Sequence, residues 1–130
     1  MSGKCNIVCG GNGIHIAIYD ISTDDRIILN EIEGVGSGYA EISLLVPEIG
    51  ECMSYTADHS FIDNKLVAYD WYKELVLIGA RAHEFPVNYI DRIEAVATCE
   101  DPDQLRSTDA WQTVEMLYCP GWCNMGSNSK

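Results

Sequence analysis

The 130-residue chain has the composition of one globular domain, since 47% of its residues are apolar and 22% are charged. Its 20 acidic residues exceed its 8 basic ones, which gives a formal net charge of −12. Binding to nucleic acid depends on Lys and Arg releasing counterions from phosphates, and anionic membranes attract basic segments. We therefore expect no nucleic-acid partner and no membrane partner, whereas basic proteins are favoured.

The sequence shows no targeting segment and no membrane span. Its start, MSGKC, lacks the cationic flank and apolar stretch of a signal peptide, and no run reaches the roughly 18 apolar residues of a spanning helix. We expect a soluble protein made inside a cell, where stable disulfides are disfavoured. A single β-rich domain is expected over residues 1–130, with short polar tails at residues 1–3 and 124–130.

A first hairpin is predicted near the N-terminus. Ile14, Ile16 and Ile18 alternate with other residues, which is typical of a half-buried strand. The preceding residues 5–9 form a short, largely apolar run. The glycine-rich segment Gly10–Gly13 contains an Asn-Gly step that suits a tight turn between the two.

Further strands are expected up to residue 50. A third apolar run covers residues 26–32, after a polar turn. A glycine-rich loop follows at residues 34–38, and residues 40–46 then alternate until Pro47 ends the strand. Three or four antiparallel strands are thus predicted in this part of the chain.

The middle of the chain permits two interpretations. Ile62, Leu66 and Tyr69 lie at helical spacing, and the uninterrupted run over residues 61–78 favours a helix. Val67, Tyr69 and Trp71 also suit a strand, and their side chains favour one. Helix and strand both stay open for residues 61–74.

The last third is predicted to be a hairpin with a long loop. Strands are expected at residues 87–98 and 111–119, joined through an exposed acidic tip at residues 100–103. The sum is a mainly β fold, a small antiparallel β-sandwich or barrel with room for one helix near residues 61–78. An α+β fold is the alternative.

Four of the six cysteines form two matched Cys-x3-Cys pairs near the ends of the chain: Cys5 with Cys9, and Cys119 with Cys123. Such spacing is compatible with a zinc site, because zinc ligands come from tight knuckles. A strand over residues 5–9, however, would place its two cysteines about 13 Å apart, too far to share one ion. Reduced buried thiols without a cofactor are favoured, and zinc or disulfides are the alternatives.

Catalytic motifs are weak. A dinucleotide fingerprint that begins at Gly11 needs a small residue where Ile16 stands, and such a side chain obstructs the packing of helix on strand. None of the three histidines stands in a recognisable catalytic motif, so structural roles are favoured for them. We expect no enzyme, although a small nucleotide- or ligand-binding enzyme that uses the Gly10–Gly13 loop is an alternative.

The favoured function is association. We expect a non-enzymatic structural or interaction protein, and more specifically a homo-oligomeric virion component of the decoration or tail type. The proposed contact residues are Trp122, which follows Pro-Gly, and the acids Glu100, Asp101 and Asp103. The alternative from another class is an acidic inhibitor that covers the basic, nucleic-acid-binding surface of a target protein.

Overall fold

The computed structural model describes residues 3–7, 10–11 and 13–119. The chain divides into two compact units. The N-terminal unit is Cys5–Asn64, and the C-terminal unit is Lys65–Lys130 together with Met1–Lys4. No helix within the described residues is long and apolar enough to cross a membrane.

The N-terminal unit contains one helix and one β-hairpin. Its elements are α1 (Thr23–Glu33), β1 (Tyr39–Val46), β2 (Gly50–Ala57) and a 3-10 turn (His59–Phe61). The two strands pair antiparallel, with Tyr39 opposite Ala57 and Val46 opposite Gly50. The strand predicted over residues 40–46 is confirmed as β1, and it ends immediately before Pro47.

The helix α1 corrects the prediction of a third strand over residues 26–32. Ser22 caps its start, because the Ser22 hydroxyl oxygen accepts a hydrogen bond from the Asp25 N–H at 3.1 Å. Gly34 ends the helix in the left-handed region, with φ 68° and ψ 44°, and its N–H points back to the carbonyls of Asn30 and Glu31. Both termini are thus satisfied locally, which favours the helix over an extended run.

The first predicted hairpin is not seen among the described residues. Residues 13–22 are neither strand nor helix there. Val8, Cys9 and Asn12 lie outside the described residues, so the predicted strand over residues 5–9 is only partly covered.

The C-terminal unit is mostly helical. Its elements are β3 (Ala68–Tyr69), α2 (Asp70–Ala82), α3 (Val87–Glu94), β4 (Thr98–Cys99) and α4 (Gln104–Tyr118). The two short strands pair parallel, and α2 packs against α3 and α4. The middle segment is therefore a two-residue strand followed by a helix that begins only at Asp70.

The predicted strands over residues 87–98 and 111–119 are wrong. Side chains that are at least half-buried recur on α4 at Ala110, Val114 and Leu117, which is the spacing of one helical face. The mainly β sandwich or barrel is likewise wrong, because the described residues form four α-helices and only two sheets of two strands each, which makes the fold α+β.

Ion pairs and hydrogen bonds link the three helices of the C-terminal unit. The Arg81 guanidinium of α2 donates to Glu94 of α3 at 2.6 Å, and the Tyr118 hydroxyl of α4 donates to Glu74 of α2. The Lys73 ammonium donates to the backbone carbonyls of Glu94 at 3.1 Å and Val96 at 2.9 Å. Among residues 3–119, as far as the structure describes them, the buried apolar residues are Tyr69, Leu77, Ala80 and Val114.

Candidate functional site

A cluster of hydrogen-bonded polar groups surrounds Asp101, which is only 2% exposed to solvent. Arg106 approaches the carboxylate with two nitrogens, Nε to Oδ2 at 2.7 Å and Nη2 to Oδ1 at 2.5 Å. The Trp71 indole N–H donates to Oδ2 at 3.0 Å, and the Asp103 backbone N–H donates to Oδ1 at 2.9 Å. The Arg106 guanidinium also lies over the Tyr69 ring, 5.3 Å from its centroid.

This arrangement suits a role for Asp101 in stabilising the fold and not a role as a general base. Each oxygen of Asp101 accepts two hydrogen bonds, which occupies the lone pairs that a general base would use. The hydrogen bonds from Arg106 lower the pKa of Asp101 from 3.8 to about 2, and the same contact raises the pKa of Arg106. A catalytic base needs a pKa near the working pH, so the shift of Asp101 runs the opposite way.

The three predicted acidic contact residues differ in their exposure to solvent. Glu100 and Asp103 are exposed, as expected of a loop tip, whereas Asp101 is buried against Arg106. Asp103 has a further local task, because its carboxylate caps α4 by accepting from the Arg106 backbone N–H at 3.1 Å. Trp122 lies outside the described residues, and its contact role stays a prediction.

The structure describes only part of the predicted cysteine site. Cys5 and Cys119 are exposed, whereas Cys9 and Cys123 lie outside the described residues. Between residues 3 and 119, as far as these are described, no three His, Cys, Asp or Glu side chains cluster to hold a metal ion. Zinc at the end pairs therefore stays a prediction.

The remaining cysteines, Cys52 and Cys99, are free thiols. Cys52 is half-buried on β2. Cys99 is exposed on β4, with its sulfur 3.8 Å from the carbonyl oxygens of Val67 and Ala68.

The glycines of the predicted nucleotide loop adopt turn conformations without the helix that a phosphate site needs. Gly10, Gly11 and Gly13 have φ of 105°, 85° and 82°. A dinucleotide site places its pyrophosphate at the start of a helix that follows the glycines directly. Here α1 begins only at Thr23, so this geometry gives the nucleotide alternative no support.

A shallow concavity of the N-terminal unit also lies apart from those glycines. Its lining includes Glu41, Ser43, Glu51 and Cys52 of the hairpin. The Ser43 hydroxyl donates to Glu51 at 2.6 Å, which closes a cross-strand pair. None of the described glycines lines it.

Helix α1 turns its polar side toward the hairpin. The Arg26 guanidinium donates to the carboxylate of Glu41 on β1, with Nε at 3.0 Å from Oε2, and this contact lowers the pKa of Glu41. One turn further on, Asn30 accepts a hydrogen bond of 2.5 Å from the Tyr55 hydroxyl of β2. These two polar contacts link the helix to its hairpin.

The opposite side of α1 carries large apolar side chains in solvent. Ile27 is 56% exposed, Ile28 54% and Ile32 74%. We call these three residues the isoleucine face. The segment that precedes α1 adds further exposed apolar residues, namely Ile14, Ile16, Ile18, Tyr19 and Ile21.

Two acidic residues lie beside the isoleucine face, on the same side of α1. Asp24 precedes Ile27 and Ile28 by three and four residues, and Glu31 follows them at the same spacings, so both acids share their side of the helix. Among the described residues, neither Asp24 nor Glu31 takes part in an ion pair. The surface is thus apolar in its bulk and acidic in its charge.

Sequence reasoning missed this face because it assigned residues 26–32 to a strand. The available signal was the pair of helix ends: Ser22, an N-capping residue, and Gly34, a residue typical of the position just past a helix. Once the helix is assigned between those ends, the spacing of Ile28 and Ile32 marks one helical side.

Comparison of this chain with protein-family models, with curated proteins and with solved structures found no match.

Proposed function

We propose that this chain is a non-enzymatic interaction protein that binds another macromolecule through the isoleucine face of α1. The proposal rests on the orientation of α1. The polar side of the helix makes hydrogen bonds to its own hairpin, whereas Ile27, Ile28 and Ile32 stay exposed. Complete burial of a fully exposed isoleucine is favourable by about 1.5–3 kcal/mol, and each of these partly exposed side chains can contribute a share of that. A partner that covers all three therefore gains a substantial apolar contribution.

Two further features support an association role. Contiguous exposed apolar patches on soluble proteins commonly mark interaction sites, unlike single exposed residues. The segment of residues 14–21, which precedes α1 in the sequence, holds five further exposed apolar side chains. Self-association, as in the homo-oligomer expected from the sequence, is one form that this role can take.

The test compares complexes formed by the full chain in extracts of the cells that make it. The wild-type protein is compared with the double variant Ile28→Ser, Ile32→Ser by gel filtration with light scattering. A matched control is Leu105→Ser on α4, because Leu105 is 82% exposed in the other unit. Circular dichroism of each purified variant verifies that the helices are intact.

We expect the wild-type chain and the Leu105 variant to elute in complexes larger than a monomer. The double variant is expected to elute mainly as a monomer, because its apolar contact surface is reduced. Equal elution of the wild-type chain and the folded double variant would overturn the proposal.

A further inference from the structure

We infer that the partner presents a basic amphipathic helix of about three turns to the isoleucine face. This inference rests on the proposed function and assigns the chemistry of the partner. It follows from three properties of the surface: its helical geometry, its length and its charge.

The geometry favours a helical partner. Ile28 and Ile32 lie four residues apart and form one row along α1, while Ile27 begins a neighbouring row. Rows of this kind accept the ridges of a second helix that packs against them. Amphipathic helices bind such surfaces through apolar anchors at spacings of three and four residues.

The length follows from the helix itself. With 11 residues in α1 and a rise of 1.5 Å per residue, the binding helix is roughly 16 Å long. A partner helix of about 11–14 residues spans that distance. The apolar residues of the partner helix then need to contact only the two rows formed by Ile27, Ile28 and Ile32.

Charge favours a basic partner over a second copy of this chain. The N-terminal unit holds ten acidic residues and one basic residue, Arg26, and Arg26 is already paired with Glu41. Two copies that meet through this unit would bring like charges together, which opposes association. Lys or Arg residues beside the apolar stripe of a partner instead meet Asp24 and Glu31.

The experiment uses the purified full-length chain and three synthetic 14-residue peptides. The first is an amphipathic Leu/Lys helix, the second has the same composition in a scrambled order, and the third has Glu in place of every Lys. Dissociation constants are measured by isothermal titration calorimetry at low and at physiological salt. Sedimentation of the protein alone records any self-association.

We expect the amphipathic Leu/Lys peptide to bind at least tenfold more tightly than its scrambled form, and the Leu/Glu peptide not to bind. The Ile28→Ser, Ile32→Ser variant should lose at least tenfold in affinity. The Asp24→Asn, Glu31→Gln variant should bind more weakly and with a smaller dependence on salt, because two charges no longer contribute. Leu105→Ser should bind like the wild-type chain.

Several results would overturn the inference. Equal affinity for the scrambled peptide would show unspecific attraction to an acidic protein, and unchanged affinity of the double isoleucine variant would show binding elsewhere. A dimer of the pure protein that the same variant abolishes would assign the face to a second copy. If native complexes depend on the face but the Leu/Lys peptide does not bind, the proposed function stands and only the partner's chemistry is wrong.

Discussion

The two units distribute their apolar and charged side chains in opposite ways. In the N-terminal unit no described residue is buried, and ten acidic residues face a single basic one. The C-terminal unit holds ten acidic and seven basic residues, buries four apolar residues within its described part and pairs its buried Asp101 with Arg106. The difference shows that the C-terminal unit buries apolar residues in its own interior, whereas the N-terminal unit leaves its isoleucine face in solvent.

The largest expected effect contrasts one leucine with one isoleucine. Leu77 of α2 is buried at 3% exposure, so Leu77→Ala should lower the free energy of unfolding by about 2–5 kcal/mol. Ile28→Ala on the exposed side of α1 should change it by about 0.5 kcal/mol or less. Urea unfolding followed by circular dichroism measures both. Similar losses for the two variants would mean that the isoleucine face is packed in the folded protein.

The next effect tests the buried charge of the C-terminal unit. Asp101→Asn removes the charge that pairs with Arg106 and replaces one acceptor oxygen by a donor, and the melting temperature should fall by roughly 10 °C. Asp103→Asn is the matched control, since Asp103 also lies near Arg106 but is exposed, and Asn caps a helix as well as Asp does. Equal melting temperatures for the two variants would contradict a structural role for Asp101.

The same carboxylate predicts a dependence on pH. Its pKa is about 2 in the folded chain and ordinarily 3.8, so between these values the unfolded chain binds a proton that the folded chain does not. The stability contributed by Asp101 is therefore complete above the ordinary pKa and is lost as pH falls from roughly 4 to 2. Urea midpoints over this range should fall more steeply for the wild-type chain than for Asp101→Asn, and parallel curves would contradict the prediction.

The smallest effect concerns the local start of α1. Ser22→Ala removes the hydrogen bond that caps the helix and should lower stability by about 1 kcal/mol, whereas Ser22→Asp should retain it. Because α1 carries the isoleucine face, the alanine variant should also bind the Leu/Lys peptide more weakly. Thermal unfolding and calorimetry measure the two effects. A loss with Ser22→Asp as large as with Ser22→Ala would show that the cap is not the cause.

Local patterns predicted some elements and misassigned others for identifiable reasons. Residues 40–46 alternate except at Leu45, and Pro47 follows them directly. This pattern predicts β1 because side-chain alternation and the missing N–H of proline are both local constraints. The segments around Ile90 and Val114 are rich in β-branched and aromatic residues, which favour strands when considered alone. Both are helical because α3 and α4 each pack one side against α2 or its neighbours.

The amino-acid sequence by itself determines the charge asymmetry between the two halves, the glycine and proline turns, and the capped ends of α1, since all depend on residue type and local spacing. Only the tertiary structure decides that Asp101 is buried, because its partner Trp71 stands thirty residues away. The same holds for the isoleucine face. Arg26 and Asn30 find Glu41 and Tyr55 across the hairpin, and those distant contacts orient α1 with its apolar side outward.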